Sequence, residues 1–175
     1  MSSYSSMPSS VVSTTADRAL IEGRVFRSLY TGVIQSEESV WLYINTSPEK
    51  VILLYDRFIG ASSGPVTYEV YDQVSLTGSL GTQLPTSNAN KISAVTSSTT
   101  INVVDRNDLF VTGEVVDLDI VFASASFGNR SVGSSKTESG ISIYPKDSKV
   151  AVKLTNESSQ DSLVFLKYVW IEDDE

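Results

Sequence analysis

The sequence predicts an all-β protein that folds as an antiparallel β-sandwich. Short apolar segments recur along the chain and are separated by turn residues, about every 8–15 residues. β-Branched and aromatic residues are concentrated in these segments, as in strands. No segment shows a convincing helical period. We therefore expect a sandwich of the jelly-roll type.

The chain of 175 residues is long enough for one domain preceded by an arm. Residues 1–17 are rich in serine and threonine and predict an extended N-terminal arm. Residues 18–175 predict the sandwich domain. We expect its strands at 19–26, 40–44, 51–59, 66–76, 99–104, 114–122, 140–144, 149–154 and 163–171, with loops at 77–100 and 126–139. The apolar strand from Val40 to Ile44 is expected to be central and buried on both faces.

The chain contains neither histidine nor cysteine. Disulfides, thiolate nucleophiles and cysteine-ligated zinc are thereby excluded. The side chain that most often performs acid–base chemistry near neutral pH is also missing. We therefore expect a protein that is not an enzyme and that has no cofactor.

The formal net charge of −8 argues against nucleic acid as a partner, because nucleic-acid binding needs a basic surface. It also argues against docking on an anionic membrane. An acidic surface keeps copies soluble, and it would suit a partner with a positive surface. Three glycosylation sequons, at Asn45, Asn129 and Asn156, are expected to be chance products of a serine-rich composition.

Carboxylates are the remaining candidates for chemistry. Glu69 and Asp72 are three residues apart on a predicted strand and so point to opposite faces. Asp117 and Asp119 are two apart and share a face. Like charges side by side are costly unless they are solvated or bridged by a cation. Asp117 and Asp119 are thus a weak calcium candidate, which the turn at 105–108 could complete, and a solvated outer face is the alternative.

Aromatic and apolar side chains give the candidates for subunit interfaces. Trp41 lies mid-strand and is expected to pack in the core or at an interface. Tyr168 and Trp170 alternate on one face of the last strand, where they could line the core or cover a neighbouring subunit. In the arm, the residues that could contact a neighbour are Tyr4, Met7, Val11 and Val12.

The order of segments resembles that of small virion proteins of tailed bacteriophages. A Ser/Thr arm leads into the segment from Ala19 to Phe26, which contains a glycine, and an apolar strand ends in Asn45-Thr46-Ser47-Pro48. A strand from Val51 to Ile59 follows at once, and the mid-chain stretch includes Asn88-Ala89-Asn90. The closing part reads Ile141-Ser142-Ile143-Tyr144-Pro145, then residues 149–156 and an apolar final strand. The resemblance is one of pattern from about residue 19 onward, without signature residues.

The resemblance implies a homotrimer on the virion, bound to the major capsid protein as a decoration or cement protein that stabilises the shell. The alternative is a receptor- or glycan-binding module of a head or tail fibre, which would use loops 60–65, 77–91 and 126–139. These loops contain few aromatic residues, with Phe127 the clearest one. A carboxylate-dependent glycan hydrolase is a third and weaker hypothesis.

Overall fold

The computed structural model describes residues 15–122 and 142–174. One helix, α1, spans Thr15–Ile21, and a 3-10 turn spans Arg106–Asp108. The strands are β1 (Val25–Ile34), β2 (Ser39–Asn45), β3 (Val51–Ala61), β4 (Val66–Tyr71), β5 (Val74–Leu76), β6 (Thr82–Gln83), β7 (Thr86–Asn88), β8 (Thr100–Val104), β9 (Leu109–Val111), β10 (Val115–Val121), β11 (Ser142–Tyr144), β12 (Lys149–Asn156) and β13 (Ser162–Asp173).

Two antiparallel sheets pack against each other, so the prediction of an all-β sandwich is confirmed. The first sheet has five strands in the order β11-β3-β13-β1-β7. The second sheet has six strands in the order β10-β4-β12-β2-β8-β6. The longest pairings join β13 to both β1 and β3, which sets the last strand in the middle of the first sheet. The finer assignment to a jelly roll stays a prediction.

The core lies between the two sheets and follows the period-two alternation of the strands. In β4, Val66, Tyr68 and Val70 are buried, whereas the residues between them are half-buried, as the sequence predicts. The largest fully buried side chains include Phe26, Leu42, Tyr68, Leu154, Leu166 and Trp170.

A third layer covers part of the outer face of the second sheet. Strands β5 and β9 pair with each other and pack Val74 and Leu109 against Trp41, Tyr43 and Ala151. Strand β2 is therefore buried on both faces, as predicted, with Leu42 in the main core. The single strand predicted over residues 66–76 is two strands, β4 and β5, in different layers, and β9 is not among the predicted strands. Strand β4 ends at Tyr71. Gln73, with a φ of 50°, turns the chain out of the second sheet toward β5.

The predicted strand from Ala19 to Phe26 is wrong in its first half. Helix α1 occupies its beginning, and strand β1 starts only at Val25. Gly23, with a φ of 72°, makes the turn between them. Ala19 is fully buried against Val25 and Ile171, so packing on the first sheet stabilises a helix too short to stand alone.

The predicted boundary between arm and domain, after residue 17, falls inside α1. Residues 1–14 and the predicted loop at 126–139 lie outside the described residues. Among the described residues, no helix is long and apolar enough to cross a membrane.

Candidate contact surface and the charge cluster behind it

The outer face of the first sheet carries apolar side chains on three adjacent strands, interspersed with Arg27, Thr31, Asp56 and Lys167. The apolar side chains come from β1, β3 and β13, whose register places them side by side. They are Leu29, Val33, Phe58, Leu163, Phe165 and Val169. We call this set the first-sheet face. Leu29 and Val33 are 49% and 62% exposed. Helix α1 covers the end of the sheet near Val25 and Ile171, and Val169 packs against this cluster at the border of the face.

A positive charge lies within the first-sheet face. Lys167 stands between Leu29 and Phe58 in the register, and its ammonium lies 5.2 Å from the centre of the Phe58 ring. Phe165 lies over Gly60 on the neighbouring strand, where a Cβ would clash with the ring. The glycine thus lets the aromatic ring lie flat on the sheet. Lys167 thus lies between apolar side chains of both neighbouring strands.

Strand β10 exposes its apolar side chains to solvent and turns its charged side chains toward the first sheet, which is the opposite of the usual arrangement in an edge strand. Its exposed side chains are apolar: Leu118 and Ile120 within the strand, Val116 at a β-bulge, and Phe122 just after it. The carboxylates of Asp117 and Asp119 point the other way, toward the first sheet. The prediction that these two carboxylates share a face is confirmed, but that face turns inward.

A guanidinium from the opposite sheet lies between these carboxylates. Arg57 of β3 forms ion pairs with the Oδ2 atoms of Asp117 and Asp119, and its Nη2 lies 3.3 Å from that of Asp119. The guanidinium carbon lies 4.2 Å from the centre of the Tyr68 ring. Arg57 thus ties β3 of the first sheet to β10, the edge strand of the second sheet.

The site proposed for calcium at Asp117 and Asp119 is therefore already neutralised in part by the guanidinium of Arg57. Arg57 provides the positive charge that the paired carboxylates need. In the turn at 105–108, the carboxylate of Asp105 accepts the Asn107 N–H within its own 3-10 turn. Within residues 15–122 and 142–174, no group of three or more acidic side chains is placed to hold a metal ion.

Next to Arg57, two tyrosines form a buried hydrogen bond between the sheets. The hydroxyl oxygens of Tyr68 and Tyr168 are 2.7 Å apart. Burial raises the pKa of Tyr68 to about 12, against the opposing effects of Arg57 and of the bond to Tyr168. Burial also raises the pKa of Tyr168 well above its ordinary value. Both hydroxyls are thus protonated at neutral pH and serve the packing of the core.

Tyr168 and Trp170 are core residues, and their assignment to a subunit interface is corrected. Their side chains are 4% and 2% exposed within the chain itself. Trp170 packs beside Phe26, with ring centres 6.2 Å apart. A neighbour could reach only the opposite face of β13, where Leu163, Phe165 and Val169 lie. The other interface candidates, Tyr4, Met7, Val11 and Val12, lie outside the described residues.

Trp41 is enclosed by charged side chains on the outer face of the second sheet. It packs against Tyr71, with ring centres 5.5 Å apart, and the guanidinium of Arg106 lies 5.1 Å from its ring. Lys153 stands on the same side and pairs with Glu69 at 3.1 Å. Trp41 therefore holds the third layer in place and offers no open stacking surface. Glu69, which the sequence presents as a possible acid, has a structural partner.

Two features of this region, the partner of Arg57 and the first-sheet face, are not predicted from the sequence, although the sequence contains an indication of each. A charged pair, Asp56-Arg57, interrupts the apolar run of β3, and a charge inside such a strand indicates a buried partner. The apolar residues of the first-sheet face follow the period of β1 and β13. Their exposure depends on whether another layer covers them, and periodicity does not report this.

No protein-family model, no curated protein and no solved structure matches this chain. The resemblance to virion proteins therefore depends on the order of its segments alone.

Proposed function

We propose that this chain is a structural protein of a virion that acts by contact, as a decoration protein that binds the outer capsid surface as a homotrimer and stabilises the shell. The observation that carries the proposal is the first-sheet face. It presents apolar side chains on three adjacent strands, of which Leu29, Val33 and Leu163 are exposed in the described part of the chain. Contiguous apolar patches of this kind mark interaction surfaces.

A second copy of the chain is the occupant that we propose for this face. A net charge of −8 makes copies repel one another, so association needs an apolar contact area. The first-sheet face supplies that area, and its central cation, Lys167, offsets part of the acidic charge locally. In a homotrimer this face would lie toward the threefold axis and contact both neighbouring copies.

The capsid is the proposed second partner. The segment order that resembles tailed-phage virion proteins supports this part of the proposal. An acidic protein would be attracted to positive regions of a shell, and such complementarity governs specificity and association rate. The fibre-tip alternative gains no comparable support. Loops 60–65 and 77–91 contain no aromatic residue, and loop 126–139 lies outside the described residues.

The oligomeric state tests the first part. We expect size-exclusion chromatography with light scattering to give a trimer. Val33→Glu should shift it to monomers without loss of fold, because Val33 is exposed and its replacement places a charge in the contact. Ile92→Glu is the matched control, since Ile92 is 95% exposed and lies in a loop outside the face. A wild-type monomer at all concentrations, or equal effects of both variants, contradicts the proposal.

The virion role is tested with particles that lack the protein. Purified wild-type protein should bind these particles and raise the temperature at which they release their genome. The Val33→Glu variant should bind more weakly, because it loses the avidity of three linked copies. If the protein instead blocks infection by occupying the cell surface and leaves particle stability unchanged, the receptor-binding alternative replaces the proposal.

A further inference from the structure

We propose that the open edge of β10 is a strand-addition site, which takes an extended segment of a partner protein whose residues alternate between apolar and basic. This inference concerns a different surface from the first-sheet face. It therefore holds or fails independently of trimer formation.

Among the described residues, no strand pairs with the edge of β10 that faces away from β4. In the described structure β10 is the terminal strand of the second sheet and pairs only with β4. The Ile120 N–H donates to the Oδ1 atom of Asp119 at 2.9 Å, so this amide points away from β4. Leu118 has the same orientation, because backbone groups alternate along a strand. Edge strands with unpaired groups are templates for an added strand.

The solvent-facing side of this edge strand carries exposed apolar side chains. Leu118 and Ile120 are 60% and 47% exposed, and Phe122 continues the same side. β10 has neither lysine nor proline, and its protection consists of the bulge at Val116 and the inward carboxylates, which a basic strand would neutralise. An added strand would place every second side chain beside Leu118 and Ile120. Those side chains should therefore be apolar.

The inner side of the edge favours positive charge. Asp117 and Asp119 share the single guanidinium of Arg57, and the Asp117 side chain is 43% exposed. One negative charge thus stays uncompensated within this cluster. When an added strand pairs with the Ile120 amide, it also releases Oδ1 of Asp119. The alternate side chains of that strand face these carboxylates and should be lysine or arginine.

Charge argues against two other possible occupants. A second copy of β10 would bring its own Asp117 and Asp119, which gives four carboxylates for two guanidinium groups. The first 14 residues of the chain contain no lysine or arginine. A separate protein with an apolar and basic strand suits the edge better than either.

A pair of synthetic peptides tests the site. The probe is a nine-residue peptide that alternates valine with lysine, and the control peptide has glutamate in place of every lysine. Both are titrated into the full-length protein while the backbone amides are followed by NMR. We expect the lysine peptide to bind at least tenfold more tightly and to slow hydrogen exchange at the amides of Leu118 and Ile120.

Variants of β10 test whether the peptide binds at this edge. Asp117→Asn should weaken binding of the lysine peptide several-fold, whereas Glu49→Gln, a similar change in an exposed turn, should not. The double variant Leu118→Ser and Ile120→Ser should weaken binding of both peptides and keep the fold, because both side chains are exposed.

Three results would overturn the inference. The first is equal binding of the two peptides, and the second is binding that leaves the β10 amides unchanged. The third is protection of these amides in the absence of any peptide. If the protection persists at all protein dilutions, the chain covers its own edge. If it occurs only at high protein concentration, a second copy covers the edge.

Discussion

Arg57 of the first sheet and Asp119 of the second are ion-paired across the edge of the sandwich, with Nη2 and Oδ2 3.3 Å apart. The same guanidinium reaches Asp117 and lies over the Tyr68 ring. One side chain thereby joins three strands, β3, β4 and β10. The strand that carries the proposed binding edge is held to the opposite sheet through this cluster.

Replacing Arg57 with methionine should destabilise the protein by about 1–3 kcal/mol, because two partly buried carboxylates lose their counter-charge. Arg57→Lys should cost less, since it keeps the charge but loses the two-pronged geometry and the stacking on Tyr68. Urea unfolding followed by circular dichroism measures both. If the methionine variant is as stable as the lysine variant, the ion pairs add nothing to stability.

The hydrogen bond between Tyr68 and Tyr168 should give non-additive mutational effects. Tyr168→Phe leaves the buried Tyr68 hydroxyl without this partner and should cost about 1–2 kcal/mol. Changing both residues to phenylalanine should cost less than the sum of the single changes, because both polar groups then leave the core. A double-mutant cycle in urea measures the difference. Strict additivity would contradict the bond.

Alkaline pH should unfold the protein through these buried tyrosines. Burial raises the pKa of Tyr68 to about 12 in the folded state, whereas an unfolded tyrosine has a pKa near 10. Below about pH 10 both states are protonated, and the contribution to stability is complete. Between about pH 10 and 12 the unfolded state loses its proton first, so stability falls by about 1.4 kcal/mol per pH unit for each such group.

The free energy of unfolding at pH 9 and pH 11 checks this dependence. The variant with phenylalanine at positions 68 and 168 should lose clearly less stability over this interval than the wild type. An identical loss in both proteins would assign the alkaline transition to other groups, among them Tyr30 and Tyr144, whose pKa values burial also raises.

Glu172 should be the carboxylate most important for stability. It is 3% exposed, and it accepts hydrogen bonds from the Ser97 hydroxyl, the Thr99 N–H at 3.2 Å and the Trp170 indole at 3.4 Å. Glu172→Ala should destabilise the protein by about 2–3 kcal/mol, because it leaves several part-buried donors unpaired. Thermal unfolding measures this, with Glu49→Gln as the exposed control. A loss no larger than that of the control would show that the segment 97–99 does not depend on β13.

The glycosylation sequon at Asn156 has a structural explanation that the sequence alone does not provide. The Asn156 side chain is fully buried, and its Nδ2 donates to the carbonyl oxygens of Ile34 and Gln160 at 3.0 and 2.7 Å. The sequon at this position is therefore a structural corner that joins three chain segments. The acidic end of the chain is explained similarly, because Glu172, Asp173 and Asp174 have partners within the chain.

The sequence by itself determines the all-β class, most strand positions and the burial of β2 and β4. These follow from local alternation and turn residues, which are properties of a few neighbouring residues. It also places Asp117 and Asp119 on one face. Only the tertiary structure decides which way that face turns, what pairs with it and which apolar residues stay uncovered. Arg57 lies 60 residues from Asp117, and the layer over Trp41 comes from strands far along the chain. Such contacts depend on the packing of whole sheets, which local pattern does not encode.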